Sequence, residues 1–215
     1  MKTNLKGNDF VTKTIETGTA PANLVELMRA VSGLAFVGGS GARALVVEDN
    51  PGDYDLFLYK PEYLHDVIAA VKSIGYRERR RKLAATFYRQ FPKSLPVQIV
   101  LPAKDEHSQT YGTVTDVLSQ FAFRAQQFGA YLLGDYILVT YSEAGFRDAI
   151  HKRLVATGAG SPLFVMYSAL KYAGKGYHAA LASIGAIMDD WARYDPDWRA
   201  AEINRARWPH GGYRS

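Results

Sequence analysis

The stretch Val37-Gly38-Gly39-Ser40, followed after twelve residues by Asp53-Tyr54-Asp55-Leu56, is the most informative part of this chain. A strand is predicted over residues 54–59, and residues two apart in a strand point to the same face. The carboxylates of Asp53 and Asp55 are therefore expected to lie close enough to share one cation. Because like charges at that distance repel, a hard divalent cation such as Mg²⁺ or Mn²⁺ is their natural partner. The spacing predicts a metal site at Asp53 and Asp55. The alternative is that these residues, which follow Pro51-Gly52, only cap a turn or bind calcium adventitiously.

The glycine-rich turn before the aspartates predicts a phosphate contact. A strand that ends in Gly38-Gly39-Ser40 and leads into a helix exposes backbone N–H groups and a hydroxyl, which bind phosphate oxygens. Glycines let a phosphate approach the main chain closely. Arg43 lies about one helical turn beyond Ser40 and faces either the phosphates or solvent. The alternative for this segment is a tight turn in which Ser40 only caps the helix.

Hydrophobic spacing and turn residues predict an α+β fold, with a mixed β-sheet core flanked by helices and a helical C-terminal region. Helices are predicted over 21–31, 61–74, 114–128, 143–154, 162–173 and 178–191. Strands are predicted over 34–37, 54–59, 83–91 and 97–101, with a strand pair over 131–141. The expected organisation is a polar leader (1–20), a core (21–141), a helical region (142–195) and a loosely packed basic arm (196–215).

Composition excludes several classes of site. The 215 residues are 47% hydrophobic and contain no cysteine, which excludes a disulfide framework, a thiolate nucleophile and a zinc ribbon. Nowhere do eighteen apolar residues run together, and the first twenty residues are polar. We therefore expect no membrane association and a cytoplasmic location.

The charge of the chain favours polyanionic partners. Lys and Arg total 26 against 21 acids, giving a net charge of +5. Basic residues concentrate between Arg77 and Lys82 and again near the C-terminus. A positive surface attracts nucleotides and nucleic acids, RNA or DNA, although a solvated basic strand and tail is the alternative. The oligomeric state is not predicted.

Gly39-Ser40 followed by Asp53-x-Asp55, in this order of strands and helices, resembles the nucleotidyltransferase superfamily, which includes polymerase beta, CCA-adding enzymes and poly(A) polymerases. Two later segments, residues 95–100 and 170–177, are similar to small nucleotidyltransferase-like proteins of bacteriophages and large DNA viruses. A phage-encoded protein would act in the host cytoplasm.

The resemblance implies transfer of a nucleoside monophosphate from an NTP to an acceptor hydroxyl, with an RNA end as one candidate, and release of pyrophosphate with Mg²⁺ or Mn²⁺ as cofactor. The substrate-binding residues would be Gly38, Gly39, Ser40 and Arg43, together with Lys171 and Lys175. These lysines are four apart on a predicted helix and point one way. The alternative is two exposed lysines without a ligand.

Two departures from the superfamily pattern affect this expectation. The next core strand offers Gln98 where a third metal-binding carboxylate is usual, and a glutamine carbonyl can coordinate a cation but adds no negative charge. Phe121-Ala122-Phe123 lacks the aspartate that is expected between the phenylalanines in the related viral proteins. Four loop acids are open as replacements: Glu48, Asp49, Asp105 and Glu106. A weakened or inactive protein that binds nucleotide or nucleic acid is therefore the second hypothesis, and a toxin-like protein that modifies tRNA or a host protein is the third.

Overall fold

A computed structural model describes residues 9–81, 84–89, 94–104 and 109–207. The strands are β1 (Phe10–Glu16), β2 (Ala35–Gly38), β3 (Tyr54–Leu58), β4 (Arg77–Arg81), β5 (Ala84–Tyr88), β6 (Val97–Val100), β7 (Phe128–Leu133), β8 (Tyr136–Ser142), β9 (Arg153–Leu154) and β10 (His178–Ala179). The helices are α1 (Ala22–Ala30), α2 (Gly39–Arg43), α3 (Leu64–Ser73), α4 (Val114–Leu118), α5 (Glu143–Ile150), α6 (Pro162–Ala173), α7 (Leu181–Arg193) and α8 (Pro196–Arg207). The predicted α+β class, with a mixed sheet and a helical C-terminal region, is confirmed.

Eight of these strands form one sheet in the order β1-β8-β7-β2-β3-β6-β5-β4. Neighbouring strands are antiparallel except for β3 and β6, which run parallel. This one parallel pair sets Asp55 of β3 opposite Gln98 of β6. The centre of the sheet therefore holds the residues on which the predicted site depends.

The sheet is covered on both faces, as the alternation of side chains along β2 and β3 shows. Val37 and Leu56 belong to a large hydrophobic core that also contains apolar residues of α1 and α3. Phe36 and Phe57, one position away in each strand, belong to a second cluster covered by α4. Because alternate residues of a strand face opposite ways, Asp55 lies on the same face as Phe57. We call the face that carries Gly38, Asp55, Phe57 and Gln98 the site face.

The single helix predicted over residues 114–128 is wrong. Helix α4 begins with a capping box at Thr113 but ends at Leu118, and β7 begins at Phe128. The reason is that Phe121 packs against the cluster on the site face, whereas Phe123 is fully buried in the larger core on the other face. An extended chain places residues two apart in such different surroundings more readily than one face of a helix does.

Both predicted terminal segments contain regular structure. Residues 10–16, in the expected leader, form edge strand β1, which pairs antiparallel with β8. Residues 196–207, in the expected loose arm, form helix α8, and Trp198 stacks on Tyr194 with ring centroids 4.0 Å apart. The rest of the leader and the arm lies outside the described residues. Within the described ranges, no helix has the length and apolar character needed to cross a membrane.

Candidate functional site

The two aspartates lie together on the site face at the start of β3. Asp55 is the cross-strand partner of both Gly38 and Gln98, and Asp53 lies two residues before it. Burial and then the negative charge of Asp53 raise the pKa of the Asp55 carboxyl from 3.8 to about 7. Lys171 and Lys175 act in the opposite direction. A cation beside this half-buried carboxyl would therefore stabilise its charged form.

Gln98 extends from β6 to the same carboxylates. Its Nε2 donates a hydrogen bond to Oδ2 of Asp53 at 2.7 Å. The position at which the superfamily pattern places a third carboxylate is therefore held by a neutral amide whose N–H side faces Asp53. Presenting its carbonyl oxygen to a cation would require the Gln98 amide to turn over.

The glycine turn lies directly beside the aspartates. Gly39 has a φ of +64°, and a Cβ built on it would lie 3.9 Å from Oδ2 of Asp55. A Cβ on Gly38 would lie only 2.5 Å from the ring of Phe57, so this position accepts no side chain without a shift of that ring. Ser40, in the short helix α2, is buried. The structure thus brings residues 38–40 and the aspartate pair together, as the spacing predicts.

Arg43 is the predicted site residue that the structure places elsewhere. Its side chain is 0% exposed. Nε donates to Asp49 at 2.8 Å, Nη2 also donates to Asp49, and Nη1 donates to the carbonyl oxygen of Ala125 at 2.7 Å. The guanidinium also lies over the rings of Tyr172 and Tyr177, 5.7 and 5.5 Å from their centroids. The expected contact of Arg43 with a triphosphate is therefore corrected, because its side chain is buried and bonded within the protein.

Lys171 and Lys175 approach the aspartate pair from the helical region. Lys171 lies in the last turn of α6, and Lys175 lies just beyond its end, with Nζ 5.6 Å from the Tyr172 ring centroid. Both side chains are exposed, yet both are near enough to stabilise the charged form of Asp55. The structure therefore brings both lysines within electrostatic reach of Asp55, which precedes them in sequence by more than 110 residues.

The loop acids considered as replacements for a third carboxylate are placed as follows. Asp49 is bonded to Arg43, and Glu48 is exposed. Asp105 and Glu106 lie outside the described residues. Ala122, where an aspartate was expected, is buried in the larger hydrophobic core. Within the described part of the chain, no third carboxylate joins Asp53 and Asp55 in a group that could hold a metal.

Sequence reasoning missed the contacts of Arg43. The sequence offers Asp49 only as a replacement for the missing carboxylate, and the helix predicted over 114–128 contains Ala125, although α4 ends at Leu118. The available signal was weak: Tyr172 and Tyr177 frame the end of α6, and their rings pack edge to face with centroids 5.2 Å apart. Nothing in the spacing indicates that Arg43, 129 residues before Tyr172, completes this packing.

The donor set fits one divalent cation. Asp53 and Asp55 offer the carboxylate oxygens that Mg²⁺ and Mn²⁺ prefer, and their mutual repulsion is relieved by a cation between them. Over the described ranges, no group of three or more His, Cys, Asp and Glu side chains is arranged to hold a metal. Two carboxylates suffice where phosphate oxygens of a substrate complete the coordination, which is usual for Mg²⁺.

Comparison with known proteins supports the fold. No protein-family model and no curated protein matches the sequence. Among solved structures, a tRNA-processing enzyme in an apo form matches with a TM-score of 0.59 and 15% identity over 90% of this chain and 54% of that one. The Thermotoga maritima CCA-adding enzyme in complex with tRNA matches with a TM-score of 0.57 and 12% identity, over 88% and 50%. A tRNA nucleotidyltransferase with a primer tRNA and an incoming ATP analogue matches with a TM-score of 0.54 and 12% identity, over 84% and 55%.

The chain thus spans about half the length of the solved structures that it matches. At these identities the likeness concerns the fold alone. This chain has the nucleotidyltransferase fold.

Proposed function

We propose that this protein is a metal-dependent nucleotidyltransferase that transfers a nucleoside monophosphate from an NTP to an acceptor hydroxyl, such as an RNA end, and releases pyrophosphate. The observation that carries the proposal is the convergence of Asp53, Asp55 and the turn at Gly39 on one side with Lys171 and Lys175 on the other. The carboxylates suit a cation, and the lysines suit the phosphates that the cation would bind. The fold and its tRNA- and nucleotide-bound structural neighbours support the same conclusion.

The proposed reaction is an in-line displacement at the α-phosphorus. The acceptor oxygen attacks the α-phosphorus, a new P–O bond forms, the bond to the α–β bridging oxygen breaks, and pyrophosphate leaves. Negative charge grows on the leaving phosphates, and Lys171 and Lys175 are proposed to neutralise it. The backbone N–H groups at Gly39 and Ser40 are proposed to orient the triphosphate beside Asp55.

The proton of the acceptor hydroxyl requires a base. Of the three side chains at the strand ends, only Asp53 and Asp55 can accept it, because the amide of Gln98 is not basic. The same two carboxylates would hold Mg²⁺ or Mn²⁺, which when bound supplies electrostatic stabilisation of the phosphate oxygens. Gln98 keeps Asp53 oriented through its hydrogen bond.

Transfer is tested by incubating the purified chain with each α-³²P-labelled NTP, Mg²⁺ or Mn²⁺, and total RNA. We expect label to enter RNA with release of pyrophosphate. Asp53→Asn and Asp55→Asn should each lower the rate at least about 100- to 1,000-fold, the usual loss when one charge-stabilising group is removed. Asp66→Asn, which changes an exposed acid on α3, is the matched control and should keep the wild-type rate. Labelling that survives both site variants would refute the proposal.

The hydrogen bond from Gln98 to Asp53 favours a second candidate function, which is nucleotide binding without transfer. A neutral amide in place of a third carboxylate holds a second metal weakly. In that case NTP with Mg²⁺ should raise the melting temperature of the protein while no NTP in the panel yields pyrophosphate. The Asp53→Asn variant should lose this stabilisation, and Asp66→Asn should retain it.

A further inference from the structure

Strand β4 forms one edge of the sheet and carries four arginines in five residues, Arg77, Arg79, Arg80 and Arg81. The side chains of Arg77 and Arg79 are exposed. Charged residues on an edge strand discourage pairing with other chains, which would account for a few of them. Arginines on either face of β4 would discourage pairing equally well. If they share one face, they have a further role.

The strand pairing assigns the arginines to a face. Glu78, the one acid of β4, is opposite the fully buried Phe87 and forms an ion pair with Lys72 of α3 at 3.4 Å. Glu78 is therefore on the face that α3 covers. Its neighbour Arg77 is opposite Tyr88 on the other face. Arg79 reaches the same place, since its guanidinium lies 5.2 Å from the centroid of the Tyr88 ring.

This other face of β4 and β5 continues the site face. Thr86, two residues before Tyr88, is opposite Gln98, and Gln98 is opposite Asp55. Across the sheet, β3 and β4 are three strand spacings apart, or about 14 Å, and Arg77 is displaced from the row of Asp55 by about two residues along the strand. Tyr88 is 41% exposed along this path, and Thr86 is half-buried. A polar row with an exposed aromatic ring thus joins the aspartate pair to a basic edge.

A β-bulge in β4 changes the direction of the arginine side chains at this edge of the sheet. The register of β4 and β5 shifts between Glu78 and Arg80, so that Arg79 is an extra residue in a β-bulge. A bulge re-aims the side chains around it, and here it allows Arg79 to reach the Tyr88 ring. Arginine beside an exposed aromatic ring is the combination that binds single-stranded nucleic acid, because the cation meets phosphate while the ring stacks on a base.

We propose that Arg77, Arg79 and Tyr88 bind the single-stranded end of a nucleic-acid acceptor and direct its terminal hydroxyl along the site face toward Asp53 and Asp55. This inference rests on the proposed function for its direction, but binding to the edge can be measured without transfer. An acidic protein could form ion pairs with the arginines, but its carboxylates would not stack on the ring of Tyr88. A nucleic-acid strand uses both, and a few extended nucleotides span the distance to the aspartates.

The experiment measures binding of a fluorescein-labelled single-stranded 12-mer, as RNA and as DNA, by anisotropy across a salt series. For the variant Arg77→Ala/Arg79→Ala, we expect weaker binding and a log–log salt slope reduced by about 1.4, since each phosphate contact on a single strand contributes about 0.7. Tyr88→Ala should weaken binding about 5- to 150-fold, whereas Tyr88→Phe should keep most of it.

The matched control is Lys13→Ala/Arg29→Ala, which removes the same charge from exposed positions on the opposite edge strand and on α1. It should leave the affinity and the salt slope near their wild-type values. Equal weakening by both double variants would overturn the proposal, as would competition by polyglutamate as effective as that by unlabelled oligonucleotide. Circular dichroism confirms that each variant is folded. If wild-type protein binds the 12-mer through this edge but transfers no nucleotide, the proposed function fails while the binding surface stands.

Discussion

The two halves of the candidate site are positioned by different means. In the sheet half, Asp53, Asp55 and Gln98 owe their positions to strand register, because neighbouring strands place their ends side by side. In the helical half, Lys171 lies at the end of α6 and Lys175 just beyond it. This segment joins the sheet half through the packing of Tyr172 and Tyr177 around Arg43. The first arrangement is local and backbone-determined, whereas the second depends on one buried side chain.

This difference shows where the site is vulnerable. Arg43 binds Asp49, on the loop that leads to Asp53, and also the carbonyl of Ala125, on the segment before β7. A buried arginine with a carboxylate, a carbonyl and two rings as partners holds three parts of the chain in one arrangement. Substitutions in the sheet half should therefore lower the rate of transfer. Substitutions of Arg43 should lower the free energy of unfolding and displace Lys171 and Lys175 from the aspartates.

The largest effect on stability is expected for Arg43→Met. Removing the guanidinium leaves the Asp49 carboxylate without its ion-pair partner in a largely buried position. This loss should lower the free energy of unfolding by about 3–5 kcal/mol in urea titrations. Arg89→Met is the matched control, since Arg89 is also buried and bonds Glu26, Ser94 and the carbonyl of Ile74. Assayed well below both melting temperatures, Arg43→Met should raise KM for NTP and Arg89→Met should not. Equal KM values in the two variants would contradict the positioning role of Arg43.

The lysines should act on substrate binding. Lys171→Met and Lys175→Met each remove one charged partner of the phosphates, and each should raise KM for NTP about 10- to 100-fold. The melting temperature should change little, because both side chains are exposed. Lys72→Met, on α3, removes a comparable exposed lysine and should leave KM unchanged. Steady-state kinetics on the three variants decides whether the helical half contacts the NTP.

Replacing Gln98 by Glu should strengthen metal binding. The added carboxylate supplies the third negative ligand, so the Mg²⁺ concentration that gives half-maximal stabilisation should fall about tenfold or more. Without metal the same variant should melt at a lower temperature than wild type. In the wild type Gln98 donates a hydrogen bond to Asp53 at 2.7 Å, whereas a glutamate at this position would repel Asp53. Gln120→Glu is the control for added charge near the end of α4. A Gln98→Glu protein that is insensitive to Mg²⁺ would contradict the metal assignment.

A smaller effect should appear in the dependence of metal-free stability on pH. The folded-state pKa of Asp55 is raised from 3.8 to about 7, so between those values the folded protein binds more protons than the unfolded chain. The free energy of unfolding should therefore fall as the pH rises from about 4 to about 7 and level off above. Asp55→Asn should flatten this part of the profile, and urea titrations at several pH values measure it.

Much of the sheet half was predictable from sequence. Residues two apart in a strand share a face, so the pairing of Asp53 with Asp55 follows from spacing, and the glycines mark the turn beside them. The strand-to-helix order places that turn at the end of β2. The Gln98 departure was also visible, because it falls on the adjacent core strand.

The rest depends on long-range packing that spacing does not encode. The burial of Arg43 is determined by Asp49, Ala125, Tyr172 and Tyr177, which come from three separate segments. Likewise, residues 119–127 leave the helix because the partly buried Phe121 and the fully buried Phe123 pack on opposite sides of the sheet. In both cases tertiary contacts override the local pattern.

Anomalous diffraction from a crystal soaked with Mn²⁺ and a non-hydrolysable NTP tests the central claim most directly. We expect a manganese peak between the carboxylates of Asp53 and Asp55, with the triphosphate between that ion and the side chains of Lys171 and Lys175. A bound nucleotide elsewhere on the protein, with no ion at the aspartates and the Gln98–Asp53 hydrogen bond unchanged, would contradict it.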